Sequence, residues 1–196
     1  AFAGGNVDFE LSSDDLAALR QIGQQAGTTL FMTLFAAFNV LLQRYSDEND
    51  IAIGTPVANR PRPELESIIG LFVNTVVLRT KLGGNPTFGE LLTQVRQTTL
   101  DAYRHQSAGF EEVVDALGVA RSRSNTPLFQ VLFTLQNAPW EPVQVSGLEW
   151  SPMTLEPGTA KFDLSVSMRE EIDGLTGRIE YRSDLFLPET IGRFAK

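Results

Sequence analysis

One segment limits the folds open to this 196-residue chain more than any other. Residues 30–42 are apolar apart from Thr33 and Asn39. With a threonine at position 28 or 29 as cap, they predict a helix that runs to about Tyr45. The apolar run is shorter than the roughly 20 residues that a membrane-spanning helix needs. A helix that is apolar on nearly every side must be covered by other elements, so this segment predicts the interior of a layered domain.

Further helices are predicted on both sides of this segment. Ser12 and Asp15 have the spacing of a capping box, and apolar residues then follow at helical spacing as far as Gly27. A second capping box, formed by Thr87 and Glu90, begins a later helix. Two shorter helices are expected, one over residues 110–117 and one that begins at Pro188.

Strands are predicted where apolar residues cluster or alternate with polar ones. Residues 7–11 alternate with acidic residues, as an edge strand does, and the β-branched run at residues 71–82 predicts a buried strand. Asp173-Gly174 predicts a two-residue hairpin turn. The order of elements is not a regular βαβ alternation, which favours an α/β unit with helices packed on a largely antiparallel sheet. The remaining strands are expected over residues 51–57, 128–137, 161–172 and 175–181.

Composition excludes several classes of function. Acidic residues outnumber basic ones 24 to 16, and no long basic run occurs, so a nucleic-acid partner is not expected. The chain has no cysteine and a single histidine, which excludes disulfides, thiolate metal ligands and a histidine-based metal cluster. Neither a leader peptide nor a membrane partner is expected. The composition fits a cytoplasmic protein.

Residue types alone do not select a reaction. His105 lies near a helix end, where it is either a general base or a structural residue that interacts with the helix dipole. The adjacent carboxylates of Glu111-Glu112 and of Glu170-Glu171 point in different directions and are read as solvated faces. Residues 121–124, Arg-Ser-Arg-Ser, are either a phosphate-related site or a surface loop.

Four segments carry a more specific signal. Residues 51–60 are Ile-Ala-Ile-Gly-Thr-Pro-Val-Ala-Asn-Arg, and residues 69–79 are Ile-Gly-Leu-Phe-Val-Asn-Thr-Val-Val-Leu-Arg. Residues 105–111 are His-Gln-Ser-Ala-Gly-Phe-Glu, and residues 121–131 end in Asn-Thr-Pro-Leu-Phe-Gln-Val. In this order and spacing they resemble motifs of the condensation domains of nonribosomal peptide synthetases. The matching motif residues are Gly70, Phe72, Val73, Arg79, His105, Gln106, Phe110, Glu111, Pro127, Leu128 and Phe129.

The sequence also departs from the family pattern. Ser107 stands where the family usually has aspartate, and Ala108-Gly109 stands where a residue followed by proline is common, so a more flexible loop is expected. Thr126 separates Asn125 from Pro127. The His-His-x-x-x-Asp-Gly motif of the family's N-terminal half is absent. The chain therefore resembles the C-terminal lobe alone, over residues 1–196, with both ends resembling cuts in a longer protein and no catalytic residue of its own.

The resemblance implies a fold and a chemistry. The family fold is a pseudo-dimer of two lobes similar to chloramphenicol acetyltransferase, with the catalytic histidine in a tunnel between them. Two carrier domains deliver thioesters on phosphopantetheine arms, and the acceptor amine attacks the donor thioester to form a peptide bond. Holding the two tethered groups together supplies much of the rate in such a reaction. No directly bound cofactor is expected. The implied partners are the N-terminal lobe, peptidyl carrier domains and an adjacent adenylation domain.

Within this lobe, three residues are expected to support the tunnel or the interface between lobes. Arg60 is a candidate to pair with the aspartate of the histidine motif, or else it solvates a proline-rich loop. Asn74 is expected to be hydrogen-bonded, because a bare amide in an apolar strand is unfavourable. Thr75 follows it in the same motif. Arg79 is expected to be a surface charge, and residues 155–163 or the 173–174 hairpin are candidates for a latch between lobes.

Two other functions remain open at this point. One is a catalytically idle scaffold that docks carrier or neighbouring domains, and the other is a stand-alone coenzyme A acyltransferase of the same fold. The Phe-Val-Asn-Thr string in residues 72–75 favours the condensation family over both the acyltransferase and the related epimerisation domains. For the isolated chain we expect no condensation activity and an exposed apolar patch where the first lobe docks.

Overall fold

The computed structural model describes residues 2–60, 62–119, 126–136, 147–148, 153, 158–171 and 173–196. This part of the chain holds five α-helices, seven β-strands and one 3₁₀ turn, Pro63–Leu65. The helices are α1 (Ser13–Ala26), α2 (Leu30–Ser46), α3 (Phe88–Arg104), α4 (Phe110–Leu117) and α5 (Pro188–Phe194). The strands are β1 (Phe2–Ser12), β2 (Asp50–Val57), β3 (Asn74–Lys81), β4 (Val131–Gln136), β5 (Thr159–Ala160), β6 (Leu164–Glu171) and β7 (Gly174–Arg182).

The seven strands form one sheet in the order β3-β2-β4-β6-β7-β1-β5. β4 runs parallel to its neighbours β2 and β6, and every other neighbouring pair in this sheet is antiparallel. The ladder between β1 and β7 is continuous from Gly4 opposite Arg182 to Ser12 opposite Gly174. A mixed, mostly antiparallel sheet with packed helices is the architecture that the sequence predicts.

Helix α2 lies against the sheet, as its apolar pattern predicts. Phe133 of β4 has no exposed surface and contacts three phenylalanines of α2, with ring centroids 5.2–5.7 Å apart. Helices α1 and α3 pack beside α2, and α3 also contacts β3. One hydrophobic cluster joins these helices to the inward-facing residues of the strands, so α2 is at the centre of the core. The three rings around Phe133 belong to Phe31, Phe35 and Phe38.

The helix starts follow the predicted capping signals. Both capping boxes form, because the Ser12 and Thr87 side chains accept backbone N–H groups while Asp15 and Glu90 bond back to the cap residues. Of the two threonines proposed for α2, Thr29 is the cap, since its hydroxyl accepts the N–H of Met32 at 3.3 Å. These signals act over three residues, which is why the sequence alone predicts them well.

The predicted strand at residues 71–82 is wrong at its beginning. β3 starts only at Asn74, and Ile69 and Leu71 are almost fully exposed, at 101% and 94%. These side chains face outward, so the part of the apolar run before Asn74 does not belong to the core. The strand predicted at 128–137 begins at Val131, and its residue 137 lies outside the described residues.

The β6–β7 hairpin forms, but the predicted turn at 173–174 is wrong at its second residue. Glu171 is opposite Gly174 in the register, so Gly174 belongs to β7. Phe162 of the predicted strand precedes β6, whereas Leu164, Val166 and Met168 form its buried face, as the alternation predicts.

In the described part of the chain, no helix is by itself long and apolar enough to span a bilayer. Only α1 and α2 taken together pass such a test, and they are bent by 101° at the break between them. A search of the same residues finds no group of three or more side chains that could hold a metal ion.

Candidate functional site

Asn74 connects two of the sequence motifs through its side-chain amide. Its Nδ2 donates hydrogen bonds to the carbonyl oxygens of Gln106, at 2.8 Å, and Ala108, at 2.7 Å. Its Oδ1 accepts the backbone N–H of Phe110 at 3.2 Å. The amide therefore holds the turn between α3 and α4 against the start of β3, and one residue satisfies three backbone groups 32 to 36 positions away along the chain.

Arg60 organises the loop between β2 and β3. Its guanidinium donates to the carbonyl oxygens of Leu65, Glu66 and Ile68, the last at 2.8 Å. The same group lies over the ring of Phe72, 4.2 Å from the ring centre, a favourable cation–π arrangement. The loop is thus folded around its own arginine. The pair that Arg60 is expected to form with an aspartate of the other lobe stays a prediction.

A phenylalanine trio joins the third and fourth motifs. Phe129 contacts Phe110 edge-on, with centroids 5.6 Å apart, and stacks on Phe162 at 5.4 Å. The ring of Phe129 also lies directly over Gly54 of β2, where an added Cβ would be 2.4 Å from a ring carbon. Position 54 must therefore lack a side chain for Phe129 to pack here.

These contacts bring all four motif segments together at one end of the molecule. The cluster that we call the motif junction consists of Arg60, Phe72, Asn74, Gln106, Phe110 and Phe129. Its side-chain contacts join motif segments that are separate in sequence. The sequence marks these residues one motif at a time, and the structure shows that they form one connected cluster.

The other motif residues are more peripheral. His105 ends α3 and is exposed, and its backbone N–H bonds to the carbonyl of Ala102. Arg79 forms a bidentate pair with Asp50, at 2.6 and 2.7 Å, and is the expected surface charge. This guanidinium holds the pKa of the Asp50 carboxyl below its ordinary value, mainly by hydrogen bonding. The remaining motif residues are the exposed Gly70, Val73 and Glu111, and the partly buried Thr75, Pro127 and Leu128, the last with a backbone φ of 71°.

The first latch candidate, residues 155–163, lies partly outside the described residues, which lack 154–157. Within the described part, Thr159–Ala160 forms β5, which pairs with Phe2 and Ala3 of β1. The β6–β7 hairpin is part of the main sheet. A latch between lobes therefore stays a prediction for both segments.

A crevice of about 330 Å³ lies beside the motif junction. We call it the β2–β4 crevice, because Thr55 to Ala58 of β2 and the loop after it face Thr134 and Leu135 of β4 across it. Tyr103 and Gln106, from the end of α3, form another part of the wall. Burial raises the pKa of the Tyr103 hydroxyl. Gly54 and Thr55 belong to the first motif segment but are not singled out from sequence, and Tyr103 lies outside all four segments.

The family assignment follows from sequence. The family model described as "Condensation domain" matches residues 1–196. The chain belongs to the condensation domain family.

Its relatives are large peptide synthetases. The chain is 45% identical to a component of the linear gramicidin synthase of Brevibacillus parabrevis over 197 residues, which covers 100% of the chain and 4% of that protein. It is 45% identical to malpinin synthetase of Mortierella alpina, over 98% of this chain and 2% of that protein. It is 43% identical to tyrocidine synthase 3 of Brevibacillus parabrevis, covering 100% and 3%. The chain thus spans only a few per cent of these relatives.

Solved structures share the fold. A holo four-domain nonribosomal peptide synthetase bound to AMP and glycine superposes with a TM-score of 0.88 at 25% identity, covering 97% of this chain and 16% of that one. The X-domain from teicoplanin biosynthesis superposes with a TM-score of 0.85 at 29% identity, covering 98% of this chain and 44% of that one. The condensation domain of the monacolin K polyketide synthase gives 0.80 at 20%, covering 98% and 45%, which bears on the fold alone. The chloramphenicol-acetyltransferase-like fold expected from the motifs is confirmed.

Proposed function

We propose that this chain is the C-terminal lobe of a condensation domain that joins carrier-bound aminoacyl or peptidyl thioesters by a peptide bond. The observation that carries the proposal is the family match over residues 1–196. The meeting of four motif segments at the motif junction supports it. The chain matches 44% of the teicoplanin X-domain and 45% of the monacolin K condensation domain, which fits one lobe of two.

The outward-facing side chains before β3 are the proposed contact with the N-terminal lobe. Ile69, Leu71 and Val73 are 101%, 94% and 60% exposed and follow each other at every second position. The three side chains are thus exposed within five residues, with a bend at Gly70 between the first two, and form one exposed apolar stretch. Phe72 points the other way, against Arg60. An exposed apolar stretch is suited to burial against another lobe, which supports this part of the proposal.

In this proposal the lobe contributes position rather than a reacting group. The histidine motif would come from the other lobe, and carrier domains would bring both thioesters on phosphopantetheine arms. The three hydrogen bonds of Asn74 and the folded loop around Arg60 fix the surface that the tunnel would use. Because this surface is already ordered, no conformational entropy is lost in ordering it when the two tethered groups meet, which favours the reaction.

A chimera tests the proposal. The matched segment of tyrocidine synthase 3 is replaced by this chain, and peptide formation on the carrier domain is measured by mass spectrometry. We expect peptide product from the chimera and none from this chain alone, which lacks the histidine motif. Replacing both histidines of the other lobe's motif by alanine is the control and should abolish product.

Two results would contradict the proposal. Turnover by this chain alone would show that the reaction does not need the second lobe. A chimera that folds and binds carrier domains but gives no product would indicate the idle scaffold instead. Folding is checked by a cooperative thermal transition, so that loss of product is not confused with loss of structure.

A further inference from the structure

Two parallel strands separate at the edge of the motif junction. β2 and β4 are paired only at Ile53 with Val131 and at Gly54 with Leu132. Beyond these residues β2 continues along β3 and β4 continues along β6. The carboxyl ends of the two strands therefore have no ladder between them, and the β2–β4 crevice opens in the gap. A crevice at the carboxyl ends of parallel strands is where open α/β sheets bind ligands.

Four residues with uncharged polar side chains are among those that line this crevice. They are Thr55 and Thr134 from the strands and Tyr103 and Gln106 from the end of α3. None of these side chains has a hydrogen-bond partner among the residues that the structure describes. Thr55 is only 3% exposed. The other three residues are partly buried, and none of the four polar side chains is among the fully enclosed unsatisfied groups of the described residues. Their polar atoms are therefore accessible from the crevice, where they can hydrogen-bond to a polar group.

The crevice carries no charge. Its remaining walls are apolar, including Phe31, Val57 and Leu135, and no Lys, Arg, Asp or Glu of the described residues lines it. An ionised group would lose its hydration here without gaining an opposite charge, which is strongly unfavourable. Hydroxyls and a carboxamide, in contrast, both donate and accept hydrogen bonds. The volume of about 330 Å³ corresponds to roughly ten waters at ~30 Å³ each, enough for one amino-acid side chain.

The site is also fixed relative to the motifs. The carbonyl oxygen of Gln106 accepts a hydrogen bond from Asn74, and its side chain lines the crevice. Thr55 is adjacent to Gly54, over which the ring of Phe129 packs. A group bound in the crevice would therefore be held by the same residues that order the motif junction.

We propose that the β2–β4 crevice is a subsite for a neutral, hydrogen-bonding side chain, a carboxamide or a hydroxyl, of an aminoacyl substrate. This assignment rests on the proposed function for the identity of the substrate, but the chemistry of the site is read from its lining alone. Donor and acceptor aminoacyl groups both offer such side chains.

The test compares three probes of nearly equal shape. N-acetylglutamine methylamide, its glutamate isostere and N-acetylnorleucine methylamide are titrated into the 196-residue chain, followed by two-dimensional NMR. We expect the glutamine probe to bind at least tenfold more tightly than the other two and to shift resonances of Thr55, Tyr103 and Gln106. Equal affinities, or shifts confined to other residues, would overturn the proposal. Pantetheine is titrated as a further ligand, and its preferential binding would overturn the proposal as well.

Variants remove one wall group at a time. Thr55→Val and Tyr103→Phe each delete a hydroxyl with little change in shape, and each should weaken the glutamine probe about five- to tenfold. Thr80→Val is the matched control, because Thr80 is fully buried in β3 and its hydroxyl has no partner there. It should leave the affinity unchanged. If Thr55→Val does not fold, the affinity of Tyr103→Phe for the glutamine probe is the test. An unchanged affinity in either folded variant contradicts the subsite.

Competition in the chimera distinguishes the donor from the acceptor aminoacyl group as the bound substrate. It also tests the subsite separately from the proposed function. Glutamine and norleucine are offered in turn as donor and as acceptor, and the position at which Thr55→Val removes the preference for glutamine identifies the bound substrate. An active chimera with no preference at either position refutes the subsite and leaves the proposed function standing. If a chimera folds and binds carrier domains but is inactive, while the chain still binds the glutamine probe selectively, the proposed function is refuted and the neutral polar site is upheld.

Discussion

The two ends of the sheet are held together in different ways. At the β1–β7 end, a continuous ladder and cross-strand ion pairs such as that of Asp8 with Arg178 join neighbouring strands. At the motif junction, strand pairing between β2 and β4 stops at Gly54, and side chains bond to loop backbone instead. The ladder repeats one interaction many times, so no single side-chain bond there is essential. The junction concentrates its interactions in a few residues, and each of them is correspondingly hard to replace.

Replacing Asn74 should give the largest effect. Asn74→Ala leaves the carbonyls of Gln106 and Ala108 and the N–H of Phe110 without their partner. We expect a loss of about 2–4 kcal/mol in the free energy of unfolding, measured with urea, because partly buried groups are left unsatisfied. Asn74→Asp keeps the acceptor but loses both donors, so it should not restore stability.

The control for this change is Asn49→Ala. The Asn49 side chain makes one exposed hydrogen bond, with Gln43 at 3.4 Å, and its loss should change stability by less than about 0.5 kcal/mol. Equal losses for the two alanine variants would show that the motif junction depends on its side-chain bonds no more than an ordinary surface does.

Two glycines allow the ends of the sheet to be compared directly. Gly54 lies under the ring of Phe129 and Gly177 under the ring of Phe9, and an added Cβ would be 2.4 and 2.1 Å from those rings. Phe129 is 2% exposed and fixed by two other rings, so it has no room to move. Phe9 is partly buried and borders an apolar cavity of about 300 Å³ between β1, α1 and α2.

Gly54→Ala should therefore cost about 1–3 kcal/mol, as overpacked cores do, while Gly177→Ala should cost less than about 1 kcal/mol because Phe9 can shift. Urea unfolding of both variants measures the difference. The double variant Gly54→Ala with Phe129→Leu tests the cause, since relief of the clash should make the combined loss smaller than the sum. A larger loss at Gly177 would reverse the comparison.

Much of this fold is predictable from sequence, and the two ends again differ. The capping boxes at Ser12 and Thr87 and the buried face of β6 follow from patterns that span a few residues. The predicted start of β3 is wrong because Leu71 is as apolar as a core residue yet faces outward. The contacts of Arg60 depend on how a proline-containing loop folds back. The β2–β4 crevice depends on two strands diverging in space, which no single segment of sequence records.

Acid should weaken the ladder end slightly. Arg178 holds the pKa of the Asp8 carboxyl below its ordinary value, first by hydrogen bonding. Because this pKa is lower in the folded than in the unfolded chain, the stabilisation is present above the unfolded value, about 3.9, and is lost as the pH falls through the folded value. The pair is largely exposed, with Asp8 at 65%, so it contributes less than about 1 kcal/mol.

Asp8→Asn should remove this contribution at neutral pH and flatten the decline in unfolding free energy between about pH 5 and 3. Urea unfolding at several pH values measures the slope. Glu10→Gln is the control, because Glu10 is on the same face of β1 and forms no ion pair with a described residue. If both variants flatten the slope equally, the effect comes from net charge. If only Asp8→Asn does so, the pair itself is responsible, and its small size next to the loss at Asn74 confirms that the ladder shares its stability among many contacts.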